Sequence, residues 1–347
     1  VKVALVAGSF PPGGGGAERQ LLRVFGELRS RGWDVVVVAR WLGDSPRTYT
    51  VDGVPVVRVG AAELTRRNSV AFTLAAARQV ARERPDVAIG LQAGSSPAAA
   101  ALAGALGLRR VPFVLRLTGN DTDGNQLEVR GRTRASRAVT AAVLRAAGAI
   151  VAPARHMLSG AGPFQARVDA VGCVIPNGAP DPAGGPHDGP RSTVLWVGRP
   201  VAVKNYPDLV ELARRCPDLS FVSVGPGPEV SVGVPNLHAL GWLADAGPAF
   251  ADAAVLVSTS RAEGSPNVVI EALSSEVPVV AYDCVGVREA TDDISHGVRI
   301  VPQRDLDALE AAVRETLADP RGVEGTLPTI GDVTDLWDDL LTRLGRH

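Results

Sequence analysis

The chain has 347 residues, of which 46% are hydrophobic and 21% charged, with a net charge of −1. That length exceeds one ordinary core and fits two domains of a globular protein. Near-neutral charge excludes a general affinity for nucleic acid. The three scattered cysteines, Cys173, Cys216 and Cys284, exclude a disulfide framework or a cysteine metal site and fit a reducing, cytosolic setting.

The chain opens on VKVALVA (1–7), which predicts a strand and speaks against a signal peptide. A glycine-rich loop follows, then a helix over 17–31 with Leu21, Val24, Phe25 and Leu28 on one face and Gly32 past its end. DVVVVA (34–39), VPVVRV (54–59), DVAIGL (86–91), FVLRL (113–117) and AIVAP (149–153) predict further strands with helical segments between most of them. PAAAALAGALGL (97–108) is too short and alanine-rich to span a bilayer and reads as a buried helix. The stretch 176–190, PNGAPDPAGGPHDGP, reads as a linker. The alternation then restarts with STVLWVG (192–198), LSFVSVG (219–225), NLHALG (236–241), AAVLVSTS (253–260) and VPVVAY (277–282). DVTDLWDDLLTRLG (332–345) predicts a last amphipathic helix. Alternating helices and near-continuous apolar strands imply α/β architecture with doubly wound parallel sheets. The expected plan is two Rossmann-like domains, 1–175 and 191–328, facing across a cleft, with residues 329–347 a helix available to pack back on the first. Ligands of such sheets bind beyond the carboxyl ends of the strands.

The strand ending near Ser260 leads into EGSPNVVIEAL (263–273). Ser265 is placed as N-cap and Pro266 as the first helical residue, a helix start suited to phosphate. Glu263 then lies in the loop and Glu271 in the helix. Taken alone, Asn267, Glu271, Ser274 and Ser275 make a plain polar face. Arg199 and Lys204 follow the strand 192–198, where two cations suit a diphosphate, although surface exposure is the common fate of both residue types. Gly225-Pro226-Gly227 after the next strand is either a simple turn or a place where backbone approaches a ligand closely.

Together these motifs resemble the nucleotide-sugar-binding domain of GT-B glycosyltransferases, in particular the retaining family four (glycosyl transferases group 1). The resemblance rests on VGR…K (Arg199, Lys204), VGPGPE (224–229), the Leu240-Gly241 pair, and the glutamates Glu263 and Glu271 at their eight-residue spacing. VPVVAYDCVGVREA, VIPNG (174–178), GGGGAERQ and LRSRGWDVVVV extend it over nearly the whole chain. It implies that Arg199 and Lys204 bind the donor diphosphate and stabilise the leaving group. It implies that Glu271 holds the ribose and Glu263 contacts the donor sugar. Gly264, Ser265, Pro266, Asn267 and Val268 would surround the phosphate and sugar, with Gly225 and Gly227 beside them. Gly14, Gly15 and Gly16 would approach from the other domain. Trp242 would stack on the base, or equally serve as a core tryptophan. The implied reaction is retaining hexosyl transfer from a nucleoside-diphosphate sugar, UDP favoured over GDP, without a cofactor or metal. The Arg-, Ala- and Val-rich composition points to a bacterial source, which would allow a glycan, lipid-linked or natural-product acceptor.

One departure stands out. Many family members carry a His-Asp pair after an N-domain strand, but RLTGND (116–121) offers Asn120 and Asp121 with no histidine. Asp121 is read evenly as a catalytic hydrogen-bond acceptor or a loop acid. DTD (121–123) spells a metal motif of the other glycosyltransferase fold, which the two-domain alternation disfavours. In 128–148, Arg130, Arg134 and Arg137 share one helical face, and Ala135, Ala138, Val139, Ala142, Val143 and Ala146 the other. That helix would either pack on the core with a solvated basic face or contact an anionic membrane. A nucleotide-sugar epimerase of similar fold and an inactive sugar-nucleotide-binding protein are the rival readings. A nicotinamide dehydrogenase is disfavoured because PPGGGGAE does not spell G-x-G-x-x-G.

Overall fold

Strands buried on both faces dominate the chain, because Val, Ala, Leu and Ile runs without polar alternation suit a sheet covered on each side. The computed structural model describes all residues except 13, 44, 62–64, 93–94, 107–110, 120–133, 183–190, 231–232, 244–245, 320–321 and 347. The chain divides into two units: Val1–Thr118, Gly124–Asn177 and Ile330–His347 form the first, and Gly119–Asp123 and Gly178–Thr329 the second.

The first unit is built on the strands β1 (Lys2–Ala7), β2 (Asp34–Arg40), β3 (Thr48–Val51), β4 (Val54–Val59), β5 (Val87–Leu91), β6 (Phe113–Arg116), β7 (Ala147–Ala152) and β8 (Gly172–Val174). Their order is β3-β4-β2-β1-β5-β6-β7-β8, parallel throughout except for β3, which runs antiparallel to β4. The helices α1 (Gly16–Ser30), α2 (Arg66–Glu83), α3 (Ser95–Leu106), α4 (Arg134–Ala146) and α5 (Gln165–Val171) alternate with them. One face buries Leu21, Phe25 and Leu28 of α1 together with Trp337, Leu340 and Leu341 of the terminal helix Ile330–Gly345. The other face buries Phe72, Ala76 and Val80 of α2, Ala99 and Ala103 of α3, and Leu144 of α4. Gly32, with φ +88°, ends α1 as expected.

In this unit Arg116, an arginine at the end of an apolar strand, is wholly buried. Its Nη2 donates to Asn177 Oδ1 at 2.9 Å, and its guanidinium lies 5.9 Å from the Trp337 ring centre. Burial pushes the guanidinium down to about 9, still a cation at neutral pH. It ties the VIPNG segment and the terminal helix to the middle of the sheet.

The second unit holds β9 (Thr193–Val197), β10 (Ser220–Val224), β11 (Leu237–Ala239), β12 (Ala253–Ser258), β13 (Val279–Tyr282), β14 (Ile294–His296), β15 (Val298–Val301) and β16 (Glu324–Gly325). Its six-stranded sheet has the order β11-β10-β9-β12-β13-β15 and is parallel throughout, while β14 and β16 pair separately. The helices are α6 (Tyr206–Arg215), α7 (Gly247–Ala251), α8 (Asn267–Ser274), α9 (Val285–Ala290) and α10 (Leu306–Ala318), and the terminal helix becomes α11. Leu209 and Leu212 of α6 and Leu309 and Val313 of α10 cover one face. Phe250 of α7 and Val269 and Leu273 of α8 cover the other.

Candidate functional site

In the second sheet the winding reverses between β9 and β12, since β10 and β11 extend to one side and β13 and β15 to the other. Such a reversal leaves a crevice beyond the strand ends, where ligands of open parallel sheets sit. The segments that leave β9 and β12 carry the predicted charges. Lys204 ends a 3₁₀ turn, Ala202–Lys204, and Glu263 lies in the loop after β12. Lys204 Nζ donates to Glu263 Oε1 at 2.5 Å, with side chains 21% and 10% exposed. The pair therefore spans the switch point. Arg199 is exposed two residues beyond β9.

The turn that carries Lys204 is fastened at three consecutive carbonyls. Ala202 O accepts from Arg261 Nη2 at 2.8 Å, Val203 O from Arg261 N at 2.9 Å, and Lys204 O from Thr259 Oγ1 at 2.8 Å. Thr259 is fully buried and accepts from Trp196 Nε1 at 3.0 Å. Gln303 Nε2 donates to Arg261 O and Asp283 O, each at 2.7 Å. From another side, a Cβ on Gly286 at the start of α9 would lie 2.3 Å from Glu263 O, so only glycine lets that backbone approach. Sequence reasoning missed Thr259, Arg261 and Gly286, because their partners lie far off along the chain. Thr259→Val leaves the Trp196 N–H and the Lys204 carbonyl without this hydroxyl. It is expected to cost about 1–3 kcal/mol of stability in urea unfolding; an unchanged midpoint would show that the fastening contributes nothing.

The Gly225-Pro226-Gly227 turn sits against the β9 segment. Gly225 has φ +116°, and its N–H donates to Gly241 O at 2.7 Å while Gly241 N–H returns to Pro226 O at 2.8 Å. A Cβ on Gly225 would lie 1.9 Å from Gly198 O. Gly227 faces the Glu229 carboxylate. Leu240 and Gly241, expected inside a strand, lie beyond β11 in this turn. Trp242 is 56% exposed, which removes the core alternative.

The start of α8 differs by one residue from the expectation. Pro266, at φ −77° and ψ 97°, is the N-cap, and Asn267 is the first helical residue. Extended ψ at Pro266 keeps it outside the helix, while its carbonyl accepts from Val269 N at 3.0 Å and Ile270 N at 3.2 Å. Gly264 and Pro266 are buried, and Ser265, Asn267, Val268 and Glu271 are partly exposed. Ser275, expected on the polar face, is 5% exposed and closes the helix through its N–H to Glu271 O at 3.2 Å.

In the first unit, Gly14 and Gly15 lie in the turn before α1, and Gly16 is already helical. Glu18 organises the turn: its Oε2 accepts from Gly15 N at 2.9 Å and its Oε1 from Ser9 Oγ at 2.8 Å. Asn120, Asp121 and the DTD string lie outside the described residues, as do Arg130 and the start of the basic segment. In α4 the expected apolar face is partly wrong. Thr140, Val143 and Leu144 are buried, whereas Ala138, Val139, Ala142 and Ala146 are exposed alongside Arg134, Arg137 and Arg145. Alanines carry too little apolar area to decide which way a helix faces.

Comparison with known proteins agrees with this arrangement. Residues 191–319 match the family Glycosyl transferases group 1, and residues 15–178 match the Glycosyl transferase 4-like domain. A GDP-mannose-dependent alpha-mannosyltransferase of Mycolicibacterium smegmatis is 30% identical over 351 residues, covering 92% of this chain and 90% of the relative. The chain belongs to the glycosyl transferases group 1 family. Among solved structures, the catalytic domain of Starch Synthase IV from Arabidopsis thaliana, bound to ADP and acarbose, superposes with a TM-score of 0.75 at 14% identity, covering 100% of this chain and 99% of that one. Anabaena HepE in complex with UDP and glucose gives 0.70 at 18% identity, covering 99% and 97%. The fold of this group 1 glycosyltransferase is thus GT-B, with two Rossmann-like domains. Among the described residues, no group of three or more His, Cys, Asp or Glu could hold a metal ion, and no helix is long and apolar enough to cross a membrane.

Proposed function

We propose that this glycosyltransferase moves a hexose from a nucleoside-diphosphate sugar to an acceptor hydroxyl with retention of configuration and without a metal. The observation that carries the reading is the Lys204–Glu263 pair across the switch point, beside the amino end of α8. As the bond from the sugar's anomeric carbon to the diphosphate breaks, negative charge grows on the leaving oxygen. Lys204, Arg199 and the helix start at 265–268 supply positive potential for it. The acceptor oxygen then bonds to the anomeric carbon from the same face, and its proton passes to a leaving phosphate oxygen. No side-chain nucleophile is needed. Glu271 holds the ribose, Glu263 the donor sugar, and exposed Trp242 offers a face for the base. Asn120 and Asp121 take the part that a His-Asp pair plays in many members of the family.

The mannosyltransferase relative uses GDP-mannose by name, and HepE has been seen with UDP-glucose. Both nucleotides therefore belong in the test, with a glycan, lipid-linked or natural-product acceptor. The exposed face of α4, with Arg134, Arg137 and Arg145 among small apolar residues, supports contact with an anionic inner membrane surface. A cytoplasmic site of action fits a nucleotide-sugar donor. The test is NMR of GDP-mannose and UDP-glucose turnover in EDTA. Slow release of one nucleotide, with the freed sugar first appearing in the donor's anomeric form, supports the reading. Inverted product, or turnover abolished by EDTA, would overturn retention or metal independence.

A further inference from the structure

The first sheet has a switch point of its own. Its winding reverses between β1 and β5, since β2, β4 and β3 extend to one side and β6, β7 and β8 to the other. The loop that leaves β1 at this reversal is therefore the segment of the first unit placed to meet a ligand. Glu18 holds that loop at Ser9 and Gly15. A second fastening comes from the edge of the sheet, where the Tyr49 hydroxyl donates to Pro11 O.

Tyr49 of β3 and Arg58 of β4 share a face of the sheet, because Tyr49 is in register with Val56, two residues before Arg58. The Arg58 guanidinium lies 4.4 Å from the Tyr49 ring centre, and its Nη2 donates to the Tyr49 hydroxyl oxygen at 3.1 Å. The direction of this chain of hydrogen bonds is fixed. Arginine only donates and a carbonyl only accepts, so the Tyr49 oxygen takes a hydrogen from Arg58 and gives its own to Pro11. Burial raises the Tyr49 pKa above its ordinary value, against the opposing pull of Arg58, so the hydroxyl keeps the proton it donates.

Arg58 is a poor choice for stability alone. It is 4% exposed, its Nε is buried without an acceptor, and among the described residues no carboxylate pairs with it. An apolar side chain of similar length would fill the position at lower cost. What the guanidinium supplies, and an apolar residue does not, is the orientation of the Tyr49 hydroxyl toward the loop. We propose that Tyr49 and Arg58 are positioning residues, which hold the loop after β1 in the shape that sugar transfer needs and leave nucleotide binding to the second unit. The proposal rests on the transferase reading and adds to it a determinant of turnover far in sequence from the donor motifs.

The test compares the full-length wild type with Tyr49→Phe and Arg58→Met in three measurements. These are kcat for GDP-mannose or UDP-glucose turnover, the Kd of the matching nucleotide by calorimetry, and hydrogen exchange at the Gly14 and Gly15 amides. Tyr49→Phe keeps the ring under Arg58 and is expected to lower kcat by roughly tenfold, the effect of one hydrogen bond, with the nucleotide Kd changed by less than about twofold. Arg58→Met is the sharper variant. Its urea midpoint is expected to equal or exceed that of the wild type, while its kcat falls and exchange at Gly14 and Gly15 quickens. A merely structural role would make kcat follow the midpoint. Full kcat in Tyr49→Phe, full kcat in Arg58→Met, or a nucleotide Kd that weakens as much as kcat falls, overturns the proposal. If the wild type binds neither UDP nor GDP and turns over neither sugar nucleotide, the transferase reading fails by itself. Faster exchange at Gly14 and Gly15 in both variants would then still support the hold on the loop, and unchanged exchange would overturn it.

Discussion

Lys204→Ala is expected to weaken nucleoside-diphosphate binding by roughly 10- to 100-fold, the loss of one charge-assisted contact together with the carboxylate it leaves behind. The second part matters because Glu263 is only 10% exposed. Without Lys204 its carboxylate faces the incoming phosphates with the ammonium charge removed. Breaking such a pair costs more than the pair contributes. Glu263→Gln in the Lys204→Ala background is therefore expected to recover part of the loss, a coupling that calorimetry on the four proteins measures. Additive losses would show that the ion pair and the phosphate site are independent. Lys204→Arg is not expected to restore binding, because the 3₁₀ turn is fixed at three carbonyls and the longer planar group cannot reuse the ammonium position.

Gly225→Ala is expected to destabilise the protein by about 4 kcal/mol or more, the range of severe clashes combined with backbone strain. Two causes act together. The left-handed φ of +116° disfavours any side chain, and the new methyl would overlap Gly198 O. Neither partner can give way, since Gly198 N–H is bound to Val224 O at 3.0 Å and Gly225 N–H to Gly241 O at 2.7 Å. Gly53→Ala separates the causes: φ there is +76°, with nothing within 4 Å of the added Cβ. It carries strain alone and is expected to cost about 1–2 kcal/mol. Urea midpoints for the two variants provide the check. Equal losses would show that the approach of the turn to Gly198 is not tight.

The same contrast between local and distant causes explains what was legible in the sequence. Buried parallel strands such as DVVVVA and AAVLVSTS declare themselves because both faces need apolar residues. Thr48–Val51 escaped detection since an antiparallel edge strand alternates exposed and partly buried residues, and Val298–Val301 because Arg299 breaks its apolar run. At the candidate site, Arg199, Lys204 and Glu263 were visible through their positions after strand ends, and Glu271 only through the resemblance of its motif. The residues that hold them were not. Thr259 reads as the tail of a strand and Arg261 as a loop cation until the fold brings Ala202–Lys204 alongside. Pro266 was misplaced by one position, since Ser-Pro is compatible with a cap at either residue and only ψ decides. Arg116 is the lone charge of FVLRL, and its partners Asn177 and Trp337 come from segments remote in sequence.

The central claim is that the crevice between β9 and β12 is a nucleotide site in which Glu271 holds the ribose. Calorimetric titration with UDP and with GDP, on the wild type and on Glu271→Ala, tests it most directly. The account predicts clear binding of one nucleotide by the wild type and a loss of roughly tenfold in the variant, as for a hydrogen bond to a charged group. Binding of neither nucleotide, or equal affinity in both proteins, would contradict it and leave Glu271 as one residue of a solvated helix face.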